Sequence, residues 1–322
     1  MRDPAAVSLI VPMHNEAPMI EQFFQRVTPI LATLGEAYEI ICIDDGSRDL
    51  TLAFLVHARA RNPCIKIISL SRRFGKEAAL TAGIEAAEGQ AVIPIDADLQ
   101  DPPELMVEMI AKWREGYDTV VAIRSERGRD SVLKRWTAKG FYSVMQRLSE
   151  VPIPANAGDF RLLDRRVVEA LKQLPERTRF MKGLFAWLGF RTAYITYVRP
   201  ERVAGVTKWP YRRLWRFALE GITSFTSLPL TIWTYMGAAM AGFAFLYALF
   251  IASRTLLFGI DLPGYASLIV ILLFFSGLNM LGIGIIGEYL ARVFVEVKHR
   301  PLYLVSARHG FEDRVEEPSK PA

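Results

Sequence analysis

Five times within residues 8–123 the chain turns apolar for a few positions and then stops in charged or amide side chains. The runs are Ser8–Val11, Glu39–Ile43, Ile65–Leu70, Ala91–Ile95 and Thr119–Ile123, and each is too short for a stable helix. Helical periodicity fills the gaps, over about Pro18–Leu34, Asp49 or Thr51 to Arg61, Lys76–Ala87 and Pro103–Glu115. Short continuous apolar strands alternating with helices predict a parallel sheet covered on both faces, with right-handed crossovers. In such a sheet all the strand C-termini share one edge, and that edge is where open α/β sheets take ligands.

The side chains arriving at that edge are Asn15 and Glu16, Asp44 and Asp45, Lys76, Asp96 and Asp98, and Arg124. Carboxylates suit a metal, a ribose or a base edge, whereas lysine and arginine suit phosphate oxygens. Together they predict a nucleotide-diphosphate site. Within Asp96-Ala97-Asp98-Leu99-Gln100-Asp101-Pro102-Pro103, the two carboxylates two positions apart can address one hard cation of the kind that bridges phosphates, and the proline pair opens a helix. An isolated Asp-x-Asp reads equally well as a solvated acidic turn; the convergence of five strand ends gives it weight. No G-x-G-x-x-G follows the first strand and no G-x-x-x-x-G-K-[ST] occurs, so metal and side chains must hold the phosphates.

The remainder of the chain is of another kind. Leu228–Ala252 and Ala266–Gly287 carry no charge, and 51% of the chain is hydrophobic. A bilayer span needs about 20 apolar residues, so two transmembrane helices are expected. Basic residues gather on their outer flanks, at Lys208–Arg216 and at Arg292, Lys298 and Arg300, while the loop between holds only Arg254 and Asp261. The positive-inside rule places both flanks, and hence the catalytic domain and both termini, in the cytosol. Gly282, Gly284 and Gly287 suit close packing, either between the two spans or between copies of the chain in a homo-oligomer. Two further stretches, Leu133–Leu148 with Lys134 and Arg135, and Tyr211–Phe225, have the apolar and basic faces of interfacial helices that lie on anionic membrane lipids. The expected organisation is a cytosolic domain over 1–210 including an interfacial helix at 132–149, a juxtamembrane helix at 211–227, a two-helix membrane domain at 228–290 and a cytosolic tail at 291–322. A net charge of +5 gives no support to nucleic-acid binding, and Cys42 and Cys64 supply neither a disulfide framework nor a zinc site. Met1–Ala6 has no apolar core, so no cleaved signal peptide is expected.

The ordered motifs Val11-Pro12-x-x-Asn15-Glu16, Asp44-Asp45-Gly46-Ser47-x-Asp49, Phe74-Gly75-Lys76-Glu77, Asp96-Ala97-Asp98-Leu99-Gln100-Asp101-Pro102-Pro103 and Arg202-x-x-Gly205-x-Thr207-Lys208-Trp209 resemble those of family 2 glycosyltransferases of the GT-A fold. With two C-terminal spans, the chain resembles the polyprenyl-phosphate glycosyltransferases, the bactoprenol glucosyltransferase (GtrB) type more than dolichol-phosphate mannose synthase. Departures are His14, where an aromatic residue is common, and Arg73, where asparagine is common. The resemblance implies that Pro12, Glu16 and Asp45 line a base and ribose pocket and that Asn15, Asp44, Lys76 and Ala97 also bind the nucleotide-sugar. Asp96, Asp98 and Gln100 would hold Mg2+ or Mn2+ against the donor diphosphate. Arg124, Arg202 and Lys208 would face the diphosphate or the acceptor, and Lys134 and Arg135 the acceptor phosphate.

Asp159, in Asn156-Ala157-Gly158-Asp159-Phe160-Arg161-Leu162, corresponds by the same resemblance to a carboxylate near the anomeric carbon; on local grounds alone it also reads as a turn cap paired with Arg161. A phosphomonoester has its second pKa near 6 and is mostly ionised at neutral pH, so no strong base is required. Asp159 is therefore expected either to orient the acceptor or to stabilise positive charge at the anomeric carbon. The implied reaction is an inverting transfer of a hexose, glucose in the nearest resemblance, from a UDP-sugar to polyprenyl phosphate at the inner membrane, for cell-envelope glycosylation. Two rival readings fit the sequence less well. A processive polysaccharide synthase would carry Gln-x-x-Arg-Trp, which is absent: Arg212-Arg213-Leu214-Trp215 lacks it. A non-catalytic nucleotide-sugar sensor would have no need of an intact acidic strand end.

Overall fold

The computed structural model describes residues 6–124, 157–177, 179, 181–198, 228–258 and 264–311. The strands are β1 (Val7–Met13), β2 (Tyr38–Asp44), β3 (Ile65–Leu70), β4 (Ala91–Pro94), β5 (Thr119–Arg124), β6 (Ala157–Asp164), β7 (Thr192–Tyr197) and β8 (Val305–His309). The helices are α1 (Ile20–Thr33), α2 (Thr51–Arg61), α3 (Lys76–Ala86), α4 (Leu105–Arg114), α5 (Arg165–Lys172), α6 (Met181–Trp187), α7 (Leu228–Phe258) and α8 (Tyr265–Val297). All five expected strands and four expected helices form within a residue or two of their predicted bounds.

The strands make one 8-stranded sheet in the order β7-β5-β6-β4-β1-β2-β3-β8. Pairs β4-β1, β1-β2, β2-β3 and β5-β7 are parallel. The sheet is mostly but not wholly parallel, because β6 enters antiparallel between β4 and β5, and β8 closes the far side antiparallel to β3. Strand β8 lies inside the stretch expected to be a tail. Its backbone pairs over Ile67–Leu70 with His309–Val305, and Leu304 accepts from the Ser71 N–H at 2.9 Å. Helix α1 buries a single stripe, whereas α3 is buried all round over Ala79–Ile84. The α1 stripe is Ile20, Phe23, Val27 and Leu31, the spacing of a single helical face. These side chains join Val7, Leu9 and Val11 of β1, Ile40 of β2 and Ile93 of β4 in the core.

Strand order reverses at β1: the chain runs outward through β2 and β3, then crosses back to lay β4 on the other side. A crevice opens at the carboxyl ends of strands at such a switch point.

The chain divides into two compact units, one carrying the sheet and resuming at Pro301, the other carrying α7 and α8. In the second unit, α7 holds the one described helix long and apolar enough to cross a bilayer, over Trp233–Ile251. Helix α8 is 33 residues long and uncharged from Tyr265 to Gly287. Gly282 faces the Trp233 indole so closely that an added Cβ would lie 2.2 Å from its nitrogen, whereas nothing lies within 4 Å of the same point at Gly284 or Gly287. One of the three glycines thus serves contact between α7 and α8. The expected interfacial helices, together with Lys134, Arg135, Arg202 and Lys208, lie outside the described residues.

Candidate active site

At the β4/β1/β2 ends a cavity of about 220 Å³ is lined by Pro12, Met13, His14, Glu16, Asp45, Arg73, Lys76, Ala79, Asp96, Ala97 and Asp98. Seven of these, namely Pro12, Glu16, Asp45, Lys76, Asp96, Ala97 and Asp98, are residues that sequence reasoning named. Met13, His14, Arg73 and Ala79 complete the wall. His14 and Arg73, noted in the sequence only as departures, prove to face the cavity.

Two named residues have other work. Asp44 is buried, and its carboxylate accepts from the Ser47 N–H at 3.1 Å and the Ser69 hydroxyl at 3.2 Å. Asn15 sits in the left-handed region at φ 56, takes the Arg48 N–H on its side-chain oxygen at 2.9 Å, and gives its own N–H to Ser47 at 3.0 Å. Asn15 ties the β1 loop to the β2 loop, Asp44 ties the β2 loop to β3, and neither lines the cavity. Asp45 does line it, yet its two oxygens accept the N–H groups of Phe74 (2.6 Å) and Gly75 (2.9 Å), so it also fixes the turn that launches α3. Gly46 makes this junction feasible: at φ +60, a Cβ there would lie 2.5 Å from the Arg72 carbonyl carbon.

Helix α3 begins at Lys76, and its ammonium joins two carboxylates. It lies 2.6 Å from Asp96 and 2.8 Å from Asp159, bringing the β4 and β6 ends together. Burial opposes a charged lysine, but Asp96 and Asp159 outweigh it and raise the Lys76 pKa well above its usual range. Asp159 is the third residue of β6, not a turn residue ahead of it, and it pairs with Lys76 instead of Arg161. Arg161 is buried, donates to the Gly158 carbonyl at 2.7 Å and stacks on Phe185 at 4.2 Å; burial pulls its pKa down to about 10. Burial would raise the Asp159 carboxyl, but Lys76 and then Lys182 hold it below the ordinary carboxylate value.

Arg124, at the end of β5, donates to the Tyr197 hydroxyl at 3.0 Å and lies 3.4 Å from the buried Asp101 carboxylate, to which Tyr197 also donates. Its guanidinium is thereby oriented by Asp101, inside the acidic motif, and by Tyr197, which no motif had indicated.

The oxygen donors suit a hard cation. Glu16 is raised in pKa, first by burial and then by the charges of Asp98 and Asp96, which signals an excess of negative field at the cavity. Gln100 is buried, and its side-chain carbonyl oxygen has no hydrogen-bond partner among the described residues. Leu99, between Asp98 and Gln100, is held at φ 55, a strained value for a bulky side chain that is met most often at functional sites. Among the described residues no three carboxylate, imidazole or thiol side chains enclose an ion.

The family model for glycosyl transferase family 2 matches residues 8–172, which include every described residue of this cavity. The chain belongs to that family. An uncharacterized glycosyltransferase of Synechocystis sp. is 54% identical over 306 residues, 95% of this chain and 96% of that one. The SfII prophage-derived bactoprenol glucosyl transferase of Shigella flexneri is 46% identical over 303 residues, 94% of this chain and 98% of its own length. Among solved structures, glucosyl-3-phosphoglycerate synthase from Mycobacterium tuberculosis, in complex with Mn2+, UDP and phosphoglyceric acid, is similar with a TM-score of 0.47 and 22% identity over 68% of this chain and 76% of that chain. The enzyme is a glycosyltransferase, and its cavity lies where the family model matches.

Proposed function

We propose that this glycosyltransferase moves a hexose, glucose in the first instance, from a UDP-sugar to the phosphate of a polyprenyl phosphate. The observation that carries the proposal is the joining of Asp96, in the cavity wall, to Asp159, outside it, through Lys76. In this reading Asp96 belongs to the donor and Asp159 to the acceptor, and Lys76 lies between them. The 46% identity to a bactoprenol glucosyl transferase along nearly the whole chain supports the choice of sugar and lipid.

In this account Pro12, Glu16 and Asp45 contact the base and ribose, with His14 and Arg73 completing the wall. Asp96, Asp98 and Gln100 hold Mg2+ or Mn2+, which when bound offsets the charge of the departing diphosphate. Lys76 moves from the carboxylates to the diphosphate as donor enters. Arg124, aimed by Asp101 and Tyr197, faces the phosphates together with Arg202 and Lys208. The phosphate oxygen of the lipid attacks the anomeric carbon in one displacement, the bond to UDP breaks, and the configuration inverts. Asp159 orients the acceptor or steadies positive charge at that carbon, since an ionised phosphomonoester needs no base. Helices α7 and α8 span the inner membrane with the sheet domain in the cytosol, the topology that UDP-sugar supply requires.

A donor screen tests this. The full chain in detergent, with polyprenyl phosphate and a panel of UDP-sugars, should give one new lipid, identified by mass spectrometry as lipid phosphate plus a hexose. A product carrying an amino sugar would correct the donor, and no lipid product with any donor would refute the proposal.

A further inference from the structure

The two carboxylates of Asp96-Ala97-Asp98 are not alike. Asp98 accepts the Gln100 N–H at 3.2 Å and has no ion pair among the described residues. Asp96 has both oxygens engaged by one ammonium: the Lys76 Nζ lies 2.6 Å from its Oδ1 and 2.8 Å from its Oδ2. A third contact, 2.8 Å to Asp159, holds the same nitrogen from the other side. The ammonium therefore stands between the two Asp96 oxygens. A divalent ion bound to either oxygen would have that charge as its immediate neighbour, and like charges so close repel strongly in a partly buried site.

The backbone beneath Lys76 is fixed. Asp45 accepts the Gly75 N–H at 2.9 Å, and Gly75 stands at φ +105, a conformation that glycine alone adopts readily. The side chain is freer. It is 42% exposed, and its flexible four-carbon stem can carry the ammonium to a new partner without moving α3.

We propose that Lys76 and the divalent cation are rival occupants of Asp96, so that the cation is retained only once a diphosphate has drawn the lysine away. This rests on the reading of the cavity as the seat of a nucleotide diphosphate with Mg2+ or Mn2+, and it adds the order in which that seat fills. Asp96, Asp98 and the unpartnered Gln100 oxygen are the donors that a hard cation takes. A diphosphate has oxygens enough to receive the lysine on one and the cation on another. Until it arrives, the apparent affinity for the cation is lowered by the fraction of molecules in which the lysine holds Asp96. By linkage, the cation then favours the nucleotide by the same factor as the nucleotide favours the cation.

Mn2+ binding to the full chain in detergent tests this without turnover, with free Mn2+ followed by electron paramagnetic resonance, in the presence and absence of UDP. Without UDP, Lys76→Met should bind Mn2+ about tenfold more tightly than wild type, as expected where the lysine holds Asp96 in about nine molecules of ten. Lys76→Arg keeps the charge and should stay within about threefold of wild type. Arg73→Met removes an exposed charge from the same cavity wall without touching Asp96, and should also stay within about threefold. UDP should tighten Mn2+ binding by a larger factor in wild type than in Lys76→Met, because the variant has no lysine to displace. A Lys76→Met variant that binds Mn2+ no more tightly than wild type would overturn the proposal. So would an equal gain in Arg73→Met, or a wild type that binds Mn2+ equally well with and without UDP. Should Lys76→Met show its gain while the wild type transfers no sugar to polyprenyl phosphate, the reaction proposed above fails and the rivalry at Asp96 stands.

Discussion

At the edge of the sheet where β1, β2 and β3 begin, the buried Glu39 carboxylate receives the Ser8 hydroxyl, the Glu88 N–H at 2.8 Å and the Lys66 ammonium at 2.6 Å. Burial works against a charged Lys66, but Glu39 and Glu88 prevail and raise its pKa. At the opposite edge one lysine serves two carboxylates, while Glu16, Asp96 and Asp98 crowd one cavity. Buried acceptor oxygens of Glu77, Gln100 and Asp159 there lack partners among the described residues. Both edges bury charge in the same sheet, yet one answers it from within the chain and the other leaves part of it to be answered from outside. Ligand sites are recognised by that incompleteness, whereas stability resides in the completed edge.

The comparison can be broken most severely at Asp98. Asp98→Ala should lower turnover to below about a thousandth of wild type with the far-UV spectrum unchanged, because it removes a cation ligand without touching the core. Normal activity in that variant would remove the metal assignment. Lys66→Met is the mirror experiment: it strands Glu39 and should destabilise the sheet unit by about 3 kcal/mol, measured by denaturant titration, while activity per folded molecule stays unchanged. Loss of activity without loss of stability would erase the distinction between the edges.

A smaller effect is expected at Tyr197→Phe, which deletes one hydroxyl shared by Arg124 and Asp101. Stability should fall by about 1 kcal/mol, with a reduced kcat because Arg124 is no longer held. The smallest concerns Glu77. Burial, and next the charge of Asp159, push its carboxyl up to about 7 from an ordinary 4.5. The folded state keeps a proton that the unfolded chain has lost, so this contribution is full below about pH 4.5 and disappears as pH rises through about 7. Glu77→Gln should flatten that decline, seen as a melting temperature less dependent on pH between 5 and 8. An unchanged slope would show that Glu77 does not titrate there.

Much of this fold was legible because strands β1 to β5 are buried on both faces and read as unbroken apolar runs. Strand β8 was not: Val305-Ser306-Ala307-Arg308-His309 lies at a sheet edge, is only half covered, and pairs with β3, a strand far away in sequence. The place of β6 between β4 and β5 likewise depends on long-range pairing. In the site, strand ends gave the wall, but they could not separate Asp96 and Asp98 from Asn15 and Asp44, whose polar atoms are taken up by neighbouring loops.

The most direct test of the account is the dependence of UDP release on acceptor. With UDP-glucose and a divalent cation, the full chain should release UDP when polyprenyl phosphate is added and stay at background with the matching polyprenol. Release that is equal with the alcohol, or absent with the phosphate while a control enzyme is active, would contradict it.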